Sequence, residues 1–194
     1  MTAAILQIAI QSYWHPGTGR GSGYHLDALT HTGADGLPRL PGRTLKGLLR
    51  DALYRAETWG WPELPSGTTE ALFGPRGDGV DTHPGLLRCT DATLPQEVAA
   101  YLASDAGADL VPGLYREHFS TAINPDTGVA EQRSLRGMRV VVPLSLQATV
   151  SEVPGVTAVA DWYGRLAACF CLVTAVGAHR SRGFGRARLA WKED

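Results

Sequence analysis

The residues equipped for chemistry lie in two arginine-bearing stretches and one histidine-rich loop. Residues 177–188 read Gly-Ala-His-Arg-Ser-Arg-Gly-Phe-Gly-Arg-Ala-Arg, with four arginines and a histidine inside ten positions. So many like charges repel one another unless an anion lies among them, and the planar guanidinium fork matches phosphate oxygens. His179, Arg180, Ser181, Arg182, Gly183, Phe184 and Arg186 are therefore candidate phosphate-site residues, with Phe184 the one embedded aromatic. The second stretch is Leu40 to Arg50. Pro41 and Gly42 end whatever precedes them, and Thr44 can cap a helix. Arg43, Lys46 and Arg50 gather about 110° from the apolar face of that helix, taking 100° per residue. A helix N-terminus beside a cationic stripe suits an anion. Gly47 costs a helix about 1 kcal/mol relative to alanine. It predicts a backbone, that of the 177–188 loop, packed closely there. The third stretch, 13–39, carries His15, His25, His31, Asp27 and Asp35 among glycines at 17, 19, 21 and 23. Its spacings match neither a metal-ligand template nor a Walker loop.

These residues need a scaffold. Residues 3–12 are short and apolar and predict a first, central strand. Leu45, Leu48, Leu49, Ala52, Leu53 and Ala56 share one helical face, so a helix runs over 43–58. A helical turn follows at 69–73, stopped by Gly74-Pro75, then a strand at 86–91 and a short helix at 94–103. Another strand starts near Leu114. The Asn124-Pro-Asp-Thr-Gly128 cluster is strong turn chemistry and predicts an extended hairpin over 120–139, whose return arm carries Arg133, Arg136 and Arg139. Met138 to Val150 reads as one long strand, with Pro143 at an edge or bulge. Residues 157–176 read as a nearly all-apolar buried helix holding an Asp161–Arg165 pair, and a last strand closes the chain. The order predicts an α+β, ferredoxin-like (RRM-like) antiparallel sheet with helices on one face, long insertions and a projecting hairpin. Several RNA-binding modules share it.

A chain of 194 residues with 44% hydrophobic and 19% charged content can bury a core as one domain, 1–194. Within it 13–39 is a long loop, 61–112 an acidic insertion, 114–140 the hairpin and 177–188 the Gly/Arg-rich loop. No apolar run is long enough for a bilayer, so no membrane association is expected. Three cysteines without C-x-x-C pairing point to a reducing, cytoplasmic setting. The net charge of −1 hides an uneven distribution. Lys plus Arg against Asp plus Glu run six to four over 1–60, three to ten over 61–130 and nine to five over 131–194. Sixteen of the eighteen basic residues are arginine, which fits a polyanionic partner.

Four separated stretches coincide with one family. Leu40-Pro-Gly-Arg-Thr-Leu-Lys-Gly-Leu-Leu-Arg50 resembles the proline-glycine and LKG segment of the RAMP superfamily, the repeat-associated proteins of CRISPR effector complexes. Leu72-Phe-Gly74 with Arg88-Cys-Thr-Asp-Ala-Thr-Leu-Pro95 resembles a second pair of segments. Thr121-Ala-Ile-Asn-Pro-Asp-Thr-Gly-Val-Ala130 resembles the thumb, and Gly177 to Arg186 the glycine-rich C-terminal loop. The likeness is nearest to the backbone subunit of type III complexes. It implies a protein that binds guide RNA and its complementary target, beside other copies of itself and other effector subunits. Arg43, Thr44, Lys46, Arg50, Arg133, Arg136 and the 179–186 residues would then contact RNA. Asp27, fourteen residues before Pro41, matches the position of the family's catalytic aspartate. The resemblance implies that it holds Mg²⁺ against a scissile phosphate while the RNA's own 2′-hydroxyl attacks. Asn124-Pro125 replaces the family's usual Asp-Arg, and the residues around Asp27 also differ from the family's. An alternative within the superfamily is a metal-independent ribonuclease that processes guide precursors with His25 or His31 as general base.

Overall fold

A computed structural model describes residues 3–17, 28–75 and 83–193. Among these residues six strands are divided between two sheets. In chain order these are β1 (Ala3–Ile10), α1 (Gly42–Thr58), α2 (Thr68–Phe73), β2 (Leu87–Cys89), α3 (Gln96–Leu102), β3 (Tyr115–Ser120), β4 (Arg136–Val141), β5 (Ser145–Glu152), α4 (Trp162–Cys169) and β6 (Ala187–Trp191). The main sheet runs β2-β5-β1-β6, every pair antiparallel. With the insertions set aside this is the β-α-β-β-α-β order expected, and β1 is central as expected.

Alternation along each strand decides which face is covered. Leu6, Ile8, Ile10, Leu146, Ala148, Val150, Leu189 and Trp191 point to one side and are buried. Against them α1 lays Leu45, Leu49, Ala52, Leu53 and Ala56, and α4 lays Trp162, Leu166 and Cys169. Gln7, Gln147, Thr149 and Arg188 occupy the other face.

The N-terminus of α1 is not capped by Thr44. The Asp91 carboxylate, beyond β2, accepts from Gly42 N–H at 2.8 Å, and no side chain of the helix itself caps it. A distant acid thus satisfies one of the free N–H groups at a helix start. Replacing Asp91 by alanine is expected to cost about 1 kcal/mol, with a fall in melting temperature of about 2–4 °C, and asparagine should restore most of it. Thermal denaturation of the two variants checks this. The close approach expected at Gly47 occurs instead at Gly42. A Cβ there would lie 2.5 Å from the Cys89 carbonyl, whereas one at Gly47 would meet nothing within 4 Å.

Three other expectations are corrected. The long strand over 138–150 is two strands in different sheets, divided at Pro143, which has no N–H for a ladder. β4 leaves the main sheet to pair with β3, and Trp14 exchanges both backbone bonds with Val141 on β4's other edge. The apolar helix is confined to 162–169 and ends in a 3₁₀ turn at Phe170–Leu172. The β-branched stretch after it is extended, with Ala187 N–H donating to Thr174 O at 2.9 Å. Asp161 does not pair with Arg165. It sits at φ 49° and its Oδ1 accepts from Gly164 N–H as the helix cap, while Arg165 reaches Thr68 Oγ1.

Candidate nucleic-acid interface

The Gly/Arg loop is held by the segment that follows β1. Ala178 N–H donates to His15 O (2.8 Å), Gly185 N–H to Tyr13 O (2.7 Å) and Gln11 N–H to Arg186 O (2.7 Å). Ser12 Oγ donates to Gly183 O and accepts from Arg186 N–H. Two glycines permit this closeness. At Gly177 (φ 82°) a Cβ would stand 2.7 Å from His15 O, and at Gly185 (φ 70°) 1.9 Å from Val176 O. Between them Arg180–Arg182 form a single 3₁₀ turn whose arginines are exposed, as are Arg186 and Arg188. Among the described residues none of these four guanidiniums is in an ion pair. A rigid backbone thus presents four solvated cations, an arrangement that can neutralise a chain of phosphates with little ordering cost.

Phe184 joins this loop to the hairpin. His118 of β3 meets its ring edge-on at 5.1 Å, and His179 lies 6.3 Å away on the loop side. His179 is in turn 6.3 Å from His15. His15 is 3% exposed, and its Nδ1 hydrogen-bonds the Arg139 carbonyl at 2.7 Å, so that nitrogen carries the proton. A cavity of about 530 Å³ opens here, bounded by His15, Ala28, Pro41, Thr44, Gly177 and His179 among others. The start of α1 and the Gly/Arg loop do share a groove. His15 and His118 were not among the residues singled out for this interface. Of the two, His15 carried a signal, its place directly after the first strand.

Burial is the main cause that lowers the His15 pKa, and the charge of His179 adds to it against the opposing bond to Arg139 O. A histidine kept neutral in the folded chain takes up its proton more readily once unfolded. Its contribution is therefore full above the unfolded value of about 6.5 and is lost as pH falls through the lower folded value. Acidification from about pH 7.5 to about pH 5 should thus lower the melting temperature, and His15→Asn should flatten that dependence. Parallel slopes for the two proteins would rule His15 out as the cause.

The cationic stripe of α1 lies elsewhere. Thr44, Leu48, Asp51 and Arg55 form the flank that faces the segment 172–181. Lys46 and Arg50 fall on the opposite flank, about 110° to the other side of the buried stripe at 100° per residue. Arg50 donates to Gly74 O at 3.1 Å, and Lys46 stands near Cys89, whose partly buried thiol is pushed up to about 11 by desolvation. Arg43 is exposed. The grooves beside residues 172–181 are lined by the flank of Thr44, Leu48, Asp51 and Arg55, and not by Arg43 or Lys46.

The hairpin extends the interface outward. Asn124 Oδ1 accepts from Asp126 and Thr127 N–H, and Asn124 N–H donates to Val129 O across the turn. Its base is anchored where Arg139 lies 5.1 Å over the Tyr115 ring, whose hydroxyl donates to Gly36 O. Burial pushes that phenol up to about 12, so it stays a donor. Arg133 (φ 59°) and Arg136 are exposed, as are Phe119, Ile123, Val129 and Leu135. The arm thus leaves a row of apolar side chains uncovered beside its arginines. Asp27 and His25 lie outside the described residues. His31 is partly buried, and its Nδ1 has no hydrogen-bond partner among the described residues.

An RRM-like sheet carrying a fixed arginine loop and a projecting arginine-bearing hairpin defines a scaffold suited to single-stranded polyanions. Residues 8–188 match the family model of the RAMP superfamily, and the chain belongs to that superfamily. Two solved structures are similar to it. A chain of the type III-B Cmr-beta complex bound to cognate target RNA superposes with a TM-score of 0.73 at 11% identity, covering 98% of this chain and 97% of that one. A chain of the apo type III-B Cmr-beta complex gives 0.66 at 12% identity, covering 99% and 98%. No curated protein sequence matches the chain.

Proposed function

We propose that this chain is a guide-RNA-binding backbone subunit of a CRISPR ribonucleoprotein effector, working beside further copies of itself and other effector subunits. The observation that carries the proposal is the Gly/Arg loop. Its backbone is pinned by five hydrogen bonds to the segment after β1, and its unpaired arginines stand beside the hairpin on one side and the start of α1 on the other. Phosphates would lie along Arg180, Arg182 and Arg186, with Phe184 and His179 beside them. Thr44 would line the same groove, and Arg133 and Arg136 would reach toward the guide–target duplex. Arg43, Lys46 and Arg50 would contact RNA only where it passes the other flank of α1. Titrating the purified chain with single-stranded RNA at several salt concentrations tests this. Affinity should fall steeply with salt, about 0.7 in log–log slope per phosphate neutralised. Binding indifferent to salt would reject it.

A second reading adds target-RNA cleavage through Asp27. Ala28, which Asp27 immediately precedes in sequence, lines the cavity with His15, Thr44 and His179. Among the described residues no three His, Cys, Asp or Glu side chains gather as a metal cage. One carboxylate completed by substrate phosphates and water is nonetheless the way Mg²⁺ is commonly held. The ion would supply charge neutralisation at the scissile phosphate. The chain's own part is to seat the RNA backbone in the groove and hold it in register. Asp27→Ala in the assembled complex is expected to abolish cleavage and leave target binding within about twofold. Cleavage surviving that change would end this reading.

A further inference from the structure

The outer edge of the main sheet carries an open strand that the RNA interface does not use. Lys192 N–H donates to Ile5 O and Gln11 N–H to Arg186 O, so the even-numbered residues of this segment face β1. Ala187, Leu189 and Trp191 therefore direct their backbone groups outward. Ala187 N–H is taken by Thr174 O, and the short segment 174–176 acts as a fifth strand over that end. The chain turns away at Val173, whose N–H returns to Phe170 O. Beyond it the outward groups of Leu189 and Trp191 have no partner among the described residues.

A groove of about 870 Å³ wraps this edge from both sides. On the core side it is apolar. Tyr163 stacks on Trp191 at 4.6 Å, and Phe170 and Val173 continue the wall. On the other side Arg186 and Arg188 supply positive charge, while the one lining acid, Glu193, lies past the end of β6. A strand added here would place alternate side chains against the aromatic wall and against the arginines.

We infer that the Leu189–Trp191 edge is a β-augmentation site for an extended segment of a partner protein in which apolar and acidic side chains alternate. Three independent features select that occupant: unpaired backbone groups, an apolar wall on one face and cations on the other. RNA lacks the backbone donors and acceptors that would satisfy the strand. A second copy is disfavoured at either of its sheet edges, because β2 presents Arg88 and β6 presents Arg188 on the face where this edge's own arginines lie. Arg186 borders both surfaces, so the test is read at Arg188 and at the Leu189 and Trp191 amides, which the proposed phosphate contacts do not include.

The probe is a labelled decapeptide of alternating valine and glutamate, followed by fluorescence anisotropy and by hydrogen exchange of the Leu189 and Trp191 amides. Saturable binding below about 1 mM that slows both amides is the expected result. A valine–lysine peptide should not bind. Cys171→Arg, which fills an exposed position of the groove, and Arg188→Glu should each weaken binding at least about tenfold. Circular dichroism of each variant shows whether it remains folded. Absence of saturable binding overturns the inference, and so does binding that leaves the two amides exchanging freely. Displacement of the peptide by single-stranded RNA would assign the face to RNA. Protection of the amides by self-association of the chain alone would assign it to a second copy.

Discussion

Replacing Arg180, Arg182 and Arg186 together by glutamine is expected to lower RNA affinity by about a hundredfold or more near 0.1 M salt, since charge-assisted contacts to phosphate are worth about 1.5–3 kcal/mol each. The three side chains are exposed, so their loss should leave folding intact. The salt dependence is the sharper readout. Each lost phosphate contact reduces the log–log slope by about 0.7, or about two units for the triple variant. Filter binding at three salt concentrations measures both quantities. A comparable triple change of Arg43, Lys46 and Arg50 should cost far less, because Arg50 is engaged with Gly74 and Lys46 faces the β2 side. Equal losses from the two sets would show that RNA wraps both flanks of α1.

Gly185→Ala should be the most damaging single change in the interface. The new Cβ would stand 1.9 Å from Val176 O, a backbone atom, in a residue held at φ 70°. Neither partner can yield without breaking the Val176 N–H to Gly185 O bond or the Gly185 N–H to Tyr13 O bond. A cost of about 2–4 kcal/mol follows, with a melting temperature lower by about 5–12 °C. RNA affinity should fall with it, because the arginine turn loses its mooring. Gly183→Ala is the control. Gly183 has a similar φ of 84° but open space around it, so only the strain of about 1 kcal/mol remains. A melting temperature for Gly185→Ala within a degree or so of that control would mean that the loop is not stapled as described.

Elements whose pattern is local were legible in the amino-acid order. The α1 stripe from Leu45 to Ala56, the turn chemistry at Asn124–Gly128 and the apolar run of β1 each follow from neighbours along the chain. The paired strands 174–176 and 185–187 were not legible. Val173–Val176 continue an apolar run that reads as helix, and only contact with the closing strand makes the extended form the better one. Asp91 as the cap of α1 was hidden for the same reason, since forty-nine residues separate it from Gly42.

The arginine loop, with its repeated glycines, is written in the sequence. So are the hairpin and the family likeness, because like charges repel and φ above zero costs every residue but glycine. The flank of α1 that meets the loop was decided only by the tertiary structure. A helix places cations on either side of its buried stripe with equal ease. The direction in which the chain returned from β5 through α4 to β6 put Thr44, not Lys46, on the wall of the groove.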